Sequence, residues 1–223
     1  PELVKALLVY LLGEDAPQLS GLPLAFRQDG FLRTFSEGDA IVVANHDIRR
    51  LFGRWPHLFA HSSIDALLSK KVVKGSGVVN VTHQNVTLLA EWILGESSDG
   101  EPVLWSDGPL RGVDFDFLES IVMHLATHPP AQGASLQTLP LVPDPVGRLH
   151  PLYRATTPAF PPDDLTPGER QALEAFHVPL VHGSASLLAA LKTLSTKLRG
   201  RSHPTLAQAL ALRFLDAANA STA

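Results

Sequence analysis

The chain has 223 residues, a length that suits one large domain or two small ones. Hydrophobic residues make up 45% and charged residues 18%, which supplies a packed core and rules out disorder as the default reading. The formal charge of −4 gives no global field for nucleic acid or anionic lipid, and the absence of cysteine excludes disulfides, thiolate zinc sites and a cysteine nucleophile.

The opening "PELVKALLVYLL" places Leu3, Leu7, Leu8 and Leu11 at helical spacing, so an amphipathic helix is expected over Glu2–Leu12. Neither a cap nor a charged-then-apolar leader precedes it, as expected of a piece cut from a longer chain. No apolar run is long enough to span a bilayer. Asn-X-Ser/Thr triplets occur at Asn80, Asn85 and Asn219, but nothing else points to secretion, and the cytoplasm is the expected location.

"GEDAPQLSG" breaks the first helix. A strand around Leu22–Phe26, a turn at "RQDG" and a returning strand at Phe31–Phe35 follow. Asp-Gly between apolar runs signals a hairpin, because Gly accepts the positive φ of a tight turn. "AIVVA" (40–44) reads as a third strand, and Asn45 or Asp47 can cap a short helix that Pro56 helps to end. "SIDALLSKKVV" leads to a turn and strand in "GSGVVNVT", then to a helix through Leu94 that turns Val86, Leu89, Ala90 and Ile93 inward. "GESSDGEP" (95–102) is the most loop-like interior stretch, so the expected modules are residues 1–97 and 98–223.

The second half retraces the first. Asp114 or Asp116 caps a helix with Leu118, Ile121, Val122 and Leu125 on its apolar face, and Asp116 with Glu119 has capping-box spacing. "HPPAQGAS" breaks this helix, and "LQTLPLVPDPVGRLHPL" (136–152) then matches "LSGLPLAFRQDGFLRTF" (19–35) in its leucines, Leu-Pro-Leu and Gly. Asp144-Pro145-Val146-Gly147 suits a type I turn. Thr166-Pro167-Gly168-Glu169 opens a further helix through Phe176, "LEAFHVPLVHG" echoes "LFGRWPHLFAH", and Leu187 to about Leu198 corresponds to Val86–Leu94. A last helix from near Pro204 is apolar on nearly every side, a feature expected to drive docking or self-association. The expected fold class is α+β, with two similar subdomains that each pack a small antiparallel hairpin sheet with helices.

This pattern, a helix, then Leu-Pro-Leu and Gly at fixed offsets, then a capped helix, resembles the repeated regions of sacsin-like proteins, very large chains linked to chaperone function. The resemblance covers Leu7–Leu58 and Asp116–Val181 and rests on Leu, Pro and Gly rather than on reactive side chains. It implies a non-catalytic repeat or scaffold segment of a co-chaperone that acts on protein clients or neighbouring domains. In that family nucleotide hydrolysis belongs to heat-shock-chaperone-like ATPase modules with an Asn-containing helix motif and a D-x-G-x-G loop. The nearest string, "DGPLRG" (107–112), has the wrong spacing, so ATP binding does not carry over.

The constellations that could carry chemistry each have a plainer reading. His124 and His128 in "HLATH" share a helix face as two zinc ligands would, but Leu125 stands where a zincin needs its Glu, and Pro129 ends the helix. His182 lies near Ser184 and Ser186, yet the G-x-S-x-G of a nucleophile elbow is absent and both serines suit a helix N-cap. "KKVVKGSG" (70–77) has its lysines ahead of the glycines and so lacks phosphate-loop geometry. Lys192, Lys197, Arg199 and Arg201 gather near a helix end. Asp114 with Asp116, and Asp163 with Asp164, precede expected helices, where acids cap. Trp55, Trp92 and Trp105 show no stacking periodicity for single strands. The expectation is therefore a non-enzyme with no catalytic residue, cofactor or metal ligand assigned, binding neither nucleic acid nor membrane. The alternative is a hydrolase or metal-dependent enzyme with His124, His128 and His182 between the two modules.

Overall fold

The first helix, α1, spans Glu2–Leu12 in the computed structural model, as its spacing predicts. The described residues are 1–13, 19–70, 76–95, 103–104, 112–129, 136, 139–143, 147–151 and 185–199. They belong to two compact units, Pro1–Thr82 and His83–Ala223. The buried stripe of α1 is Val4, Leu8 and Leu12, whereas Leu3 is 73% exposed and Leu7 41%. Of the expected stripe, Leu8 alone is fully buried and Leu11 packs partly. The helix is apolar at most of its positions, so periodicity fixes its existence but not the phase of the face it buries.

The hairpin follows. Strand β1 (Ala25–Phe26) pairs antiparallel with β2 (Leu32–Arg33), with Ala25 opposite Arg33 and Phe26 opposite Leu32. At its tip the Gly30 N–H donates to the Arg27 carbonyl at 3.0 Å, and Asp29 Oδ1 accepts from the Phe31 N–H at 3.1 Å. Gly30 has φ +88°, the conformation for which the Asp-Gly signal was read.

Beyond the hairpin, the first unit departs from the expected antiparallel sheet. Strand β3 (Ile41–Ala44) pairs in parallel with β4 (Val78–Val81), from Ile41 opposite Val78 to Ala44 opposite Val81. Parallel neighbours need a crossover, here α2 (His46–Leu51), a 3-10 turn at Pro56–Leu58 and α3 (Ser62–Lys70). All four residues of β3 are buried, a pattern that suits parallel pairing better than a half-solvated hairpin. Asn45 caps α2, its Oδ1 accepting from the Ile48 N–H at 3.0 Å. Gly77 leads into β4 with φ +69° and gives its carbonyl to the Ile41 N–H at 2.9 Å. A Cβ at Gly77 would overlap the Ser36 carbonyl, so backbone approaches backbone there as only glycine allows. Helix α1 packs on α3 and α3 on β3. The resulting core includes Leu8, Leu19, Phe35, Ile41, Ile64 and Leu68.

The second unit holds α4 (Thr87–Leu94), β5 (Val103–Leu104), α5 (Phe115–Thr127), β6 (Pro140–Pro143), β7 (Arg148–Pro151) and α6 (Ala185–Arg199). Its sheet is three-stranded and antiparallel in the order β5-β7-β6, so the expected hairpin gains an edge strand that the sequence reading lacked. Helix α4 buries Val86, Leu89, Ala90 and Ile93 as predicted, and it lies in this second unit. Asp114 caps α5, its Oδ1 accepting from the Phe117 N–H at 2.9 Å. Asp116 therefore sits in the first turn, and the Asp116–Glu119 capping box does not form the cap. Helix α5 packs against α6, which buries Leu187, Ala190, Leu191 and Leu194 at helical spacing.

Where both copies of the repeated string are described, their hairpins share one register. Val142 faces His150 and Pro143 faces Leu149, which in the aligned strings are the positions of Ala25 with Arg33 and Phe26 with Leu32. Gly147 has φ +87° where Gly30 has +88°. Leu19 and Leu136, the first leucines of each string, are both fully buried. The expected helix from Thr166, the turn residues 144–146 and the last helix from Pro204 lie outside the described residues.

Candidate functional site

In the first unit, Arg49 on α2 organises the ground beside the hairpin. Its Nε donates to the Ala44 carbonyl at 2.9 Å and Nη1 to the Ala60 carbonyl at 2.7 Å and to Gln28 Oε1 at 3.0 Å. Nη2 pairs with Asp65 Oδ1 at 2.6 Å, and the guanidinium lies 5.3 Å from the centre of the Phe59 ring. A planar five-donor group can tie the end of β3, the hairpin, the strand-like segment at Ala60 and α3 at once, which an ammonium could not. Burial holds the Asp65 carboxyl above its ordinary pKa, while the Arg49 charge and hydrogen bond pull it down less strongly. Arg27 is a second such anchor. It is 5% exposed, and its Nη2 pairs with Asp39 Oδ1 at 2.6 Å, while its buried Nε has no hydrogen-bond partner among the described residues.

Gln28, His46, Arg49, Arg50, Gly53, His61 and Ser62 line an open cleft of about 520 Å³. Arg49 donates to Ala44, Ala60, Gln28 and Asp65, so the cleft's cationic wall is the surface of a structural clamp. At its edge His61 Nδ1 accepts from the Ser63 N–H at 3.2 Å and lies 2.9 Å from Ser63 Oγ. This is a helix-start contact at α3 rather than a base activating a nucleophile, because a ring nitrogen that accepts a backbone N–H is satisfying the helix terminus.

The second unit brings together three histidines. His124 and His128 lie one turn apart at the end of α5, and His83 reaches them from the segment ahead of α4. One ring nitrogen from each falls within 4.8 Å of the others. His83 Nδ1 is 3.3 Å from His124 Nε2. The ring centres are 5.1 Å apart for His83–His124, 4.3 Å for His83–His128 and 4.9 Å for His124–His128. His83 and His124 are partly buried and His128 is exposed, so the cluster opens to solvent. The sequence reading found the two helical members and missed His83. No spacing rule links residue 83 to residue 124, and the chain fold alone makes them neighbours.

Among the described residues, the remaining candidates do not gather into a site. His182, Ser184, Asp163, Asp164, Arg201, Trp105 and the lysines at 71 and 74 lie outside the described residues, and Ser186 and Lys197 are exposed on α6. Asp114 caps a helix, and Trp55 is buried with its ring centre 6.4 Å from that of Phe52. Among the described residues, no helix is long and apolar enough to cross a membrane.

Apolar side chains form the other exposed feature. Leu3, Leu7 and Tyr10 recur along α1 on a stripe apart from its buried one, at 73%, 41% and 71% exposure. Phe31 and Leu32 are exposed at the hairpin of the same unit. No protein-family model, curated protein or solved structure matches this chain, so a functional reading rests on its geometry.

Proposed function

We propose that this chain is a non-catalytic interaction segment of the sacsin-like kind, built from two similar helix-and-hairpin modules, and that it meets protein partners through the outer face of α1. The observation that carries this reading is the second apolar stripe, Leu3, Leu7 and Tyr10, on a helix whose first stripe already fills the core. A helix needs one apolar face to fold onto its own unit, and a second unburied one is spare binding area. The matching hairpin registers support the repeat. Protein clients or neighbouring domains of a parent chain fit such a surface, and cytoplasmic action in a co-chaperone fits the resemblance.

The test replaces Leu3, Leu7 and Tyr10 together by Ser and compares the variant with the unsubstituted 223-residue chain, the parent of the variant, in suppressing the aggregation of chemically reduced insulin, read by light scattering. Each position is exposed, so the unfolding free energy from urea titration should change by no more than about 0.5 kcal/mol per site. Suppression by the parent chain and its loss in the variant are expected. No suppression by the parent, or equal suppression by both, overturns the proposal. Leu8→Ala serves as the contrast: its side chain is 0% exposed, so it should cost about 2–5 kcal/mol of stability.

A further inference from the structure

We infer that His83, His124 and His128 form a binding site for a divalent transition cation of borderline softness, with Zn²⁺ the expected occupant. The inference is independent of the interaction reading above, because it uses residues of the His83–Ala223 unit alone. Imidazole nitrogens suit Zn²⁺, Ni²⁺ and Cu²⁺ and are poor ligands for Ca²⁺ and Mg²⁺, which take oxygen.

The distances fit. In a tetrahedral site with metal–nitrogen bonds of about 2.0–2.1 Å, neighbouring ligand nitrogens stand about 3.3–3.4 Å apart. His83 Nδ1 and His124 Nε2 are already 3.3 Å apart. The third nitrogen lies within 4.8 Å, a distance that side-chain rotation alone can close. That rotation is required, since the His83 and His128 rings stack with 15° between their planes and a ligating lone pair lies in the plane of its ring. The terminal torsion of histidine is broad and His128 is exposed, so the ring to turn is that of His128. The backbone already supplies the rest: the i, i+4 spacing on α5 puts two rings on one face, and the segment entering α4 delivers the third.

The donor set also defines the kind of site. Three neutral nitrogens leave one tetrahedral position for water or a partner's side chain, and the exposed edge at His128 gives the ion an entry path. A bound ion would tie the segment entering α4 to the end of α5. The zincin arrangement is not needed for this, so Leu125 in place of a Glu counts against a protease and not against a metal.

The experiment titrates Zn²⁺ into the metal-free 223-residue chain by competition with a chromophoric chelator, and repeats the titration with His83→Ala, His124→Ala, His128→Ala and the control His57→Ala. Co²⁺ loading reports coordination through its visible absorption. One equivalent bound by the parent and by His57→Ala is expected, with a four-coordinate Co²⁺ spectrum. Each cluster variant should lose more than the roughly 10–100-fold in affinity that the loss of an outer-shell partner costs. Circular dichroism without metal checks the folding of each variant. Nitrogen NMR of the parent's histidine rings reads the same site without mutation, and three shifted rings are expected. Absence of stoichiometric binding, or unchanged affinity in His83→Ala, overturns the three-ligand site.

Discussion

Arg49→Ala tests whether one guanidinium organises the first unit. The substitution removes donors from the Ala44 and Ala60 carbonyls and from Gln28, and strips Asp65 of its 2.6 Å partner. Breaking a fully buried ion pair costs about 3–5 kcal/mol, and an exposed one is worth about 0–1. The Arg49 side chain is 13% exposed and that of Asp65 26%, so the pair lies between these limits. With the orphaned carbonyls the loss should be about 2–4 kcal/mol. Asp65 adds a pH signature. Its folded pKa stands above the unfolded value because burial outweighs Arg49. A carboxyl raised in this way contributes stability that is full below its unfolded pKa of about 3.9 and is lost as pH rises through its folded pKa. Removing Arg49 raises it further, so the penalty of the variant should be larger at pH 7 than at pH 4. The assay is urea unfolding at both values, followed by Trp55 fluorescence with Trp92 and Trp105 replaced by Phe. Trp55 is buried in the first unit and so reports on that unit alone. A penalty below about 1 kcal/mol, or one independent of pH, would refute the clamp, since neither fits a part-buried charge pair.

Two further substitutions probe single local devices. Gly77→Ala forces a positive φ on an alanine and drives its Cβ into the Ser36 carbonyl, so the unfolding free energy from urea titration should fall by more than the roughly 1–2 kcal/mol of the backbone term alone. Unchanged stability would mean that the approach of residue 77 to Ser36 is not maintained in solution. Asp114→Ala removes the α5 cap and should cost about 0.5–2 kcal/mol, whereas Asp116→Ala should cost less, a ranking that thermal melts of the two variants would check.

Several features were legible in the residues because they depend on neighbours a few positions away. Helix spacing located α1, α4 and α5, Asp-Gly located the first hairpin, and the repeated leucines and Gly anticipated a second. Local chemistry decides these, since a cap, a tight turn or a period of 3.6 is satisfied within one or two turns of chain. Where local chemistry was ambiguous, the reading slipped. α1 offers apolar residues to more than one side, and the neighbouring α3 and the core decided that Val4, Leu8 and Leu12 go in while Leu3 and Tyr10 stay out.

The chain alone therefore determined its mixed helix-and-strand character, the positions of its main helices and turns, and the helical half of the histidine cluster, because each follows from short-range geometry. Tertiary structure decided that β3 and β4 run in parallel across a two-helix crossover, that Arg49 links segments from Gln28 to Asp65, and that His83 joins His124 and His128. All three bring together residues separated by long stretches of chain. Such neighbours are chosen by how whole elements pack, and no spacing in the sequence records that choice.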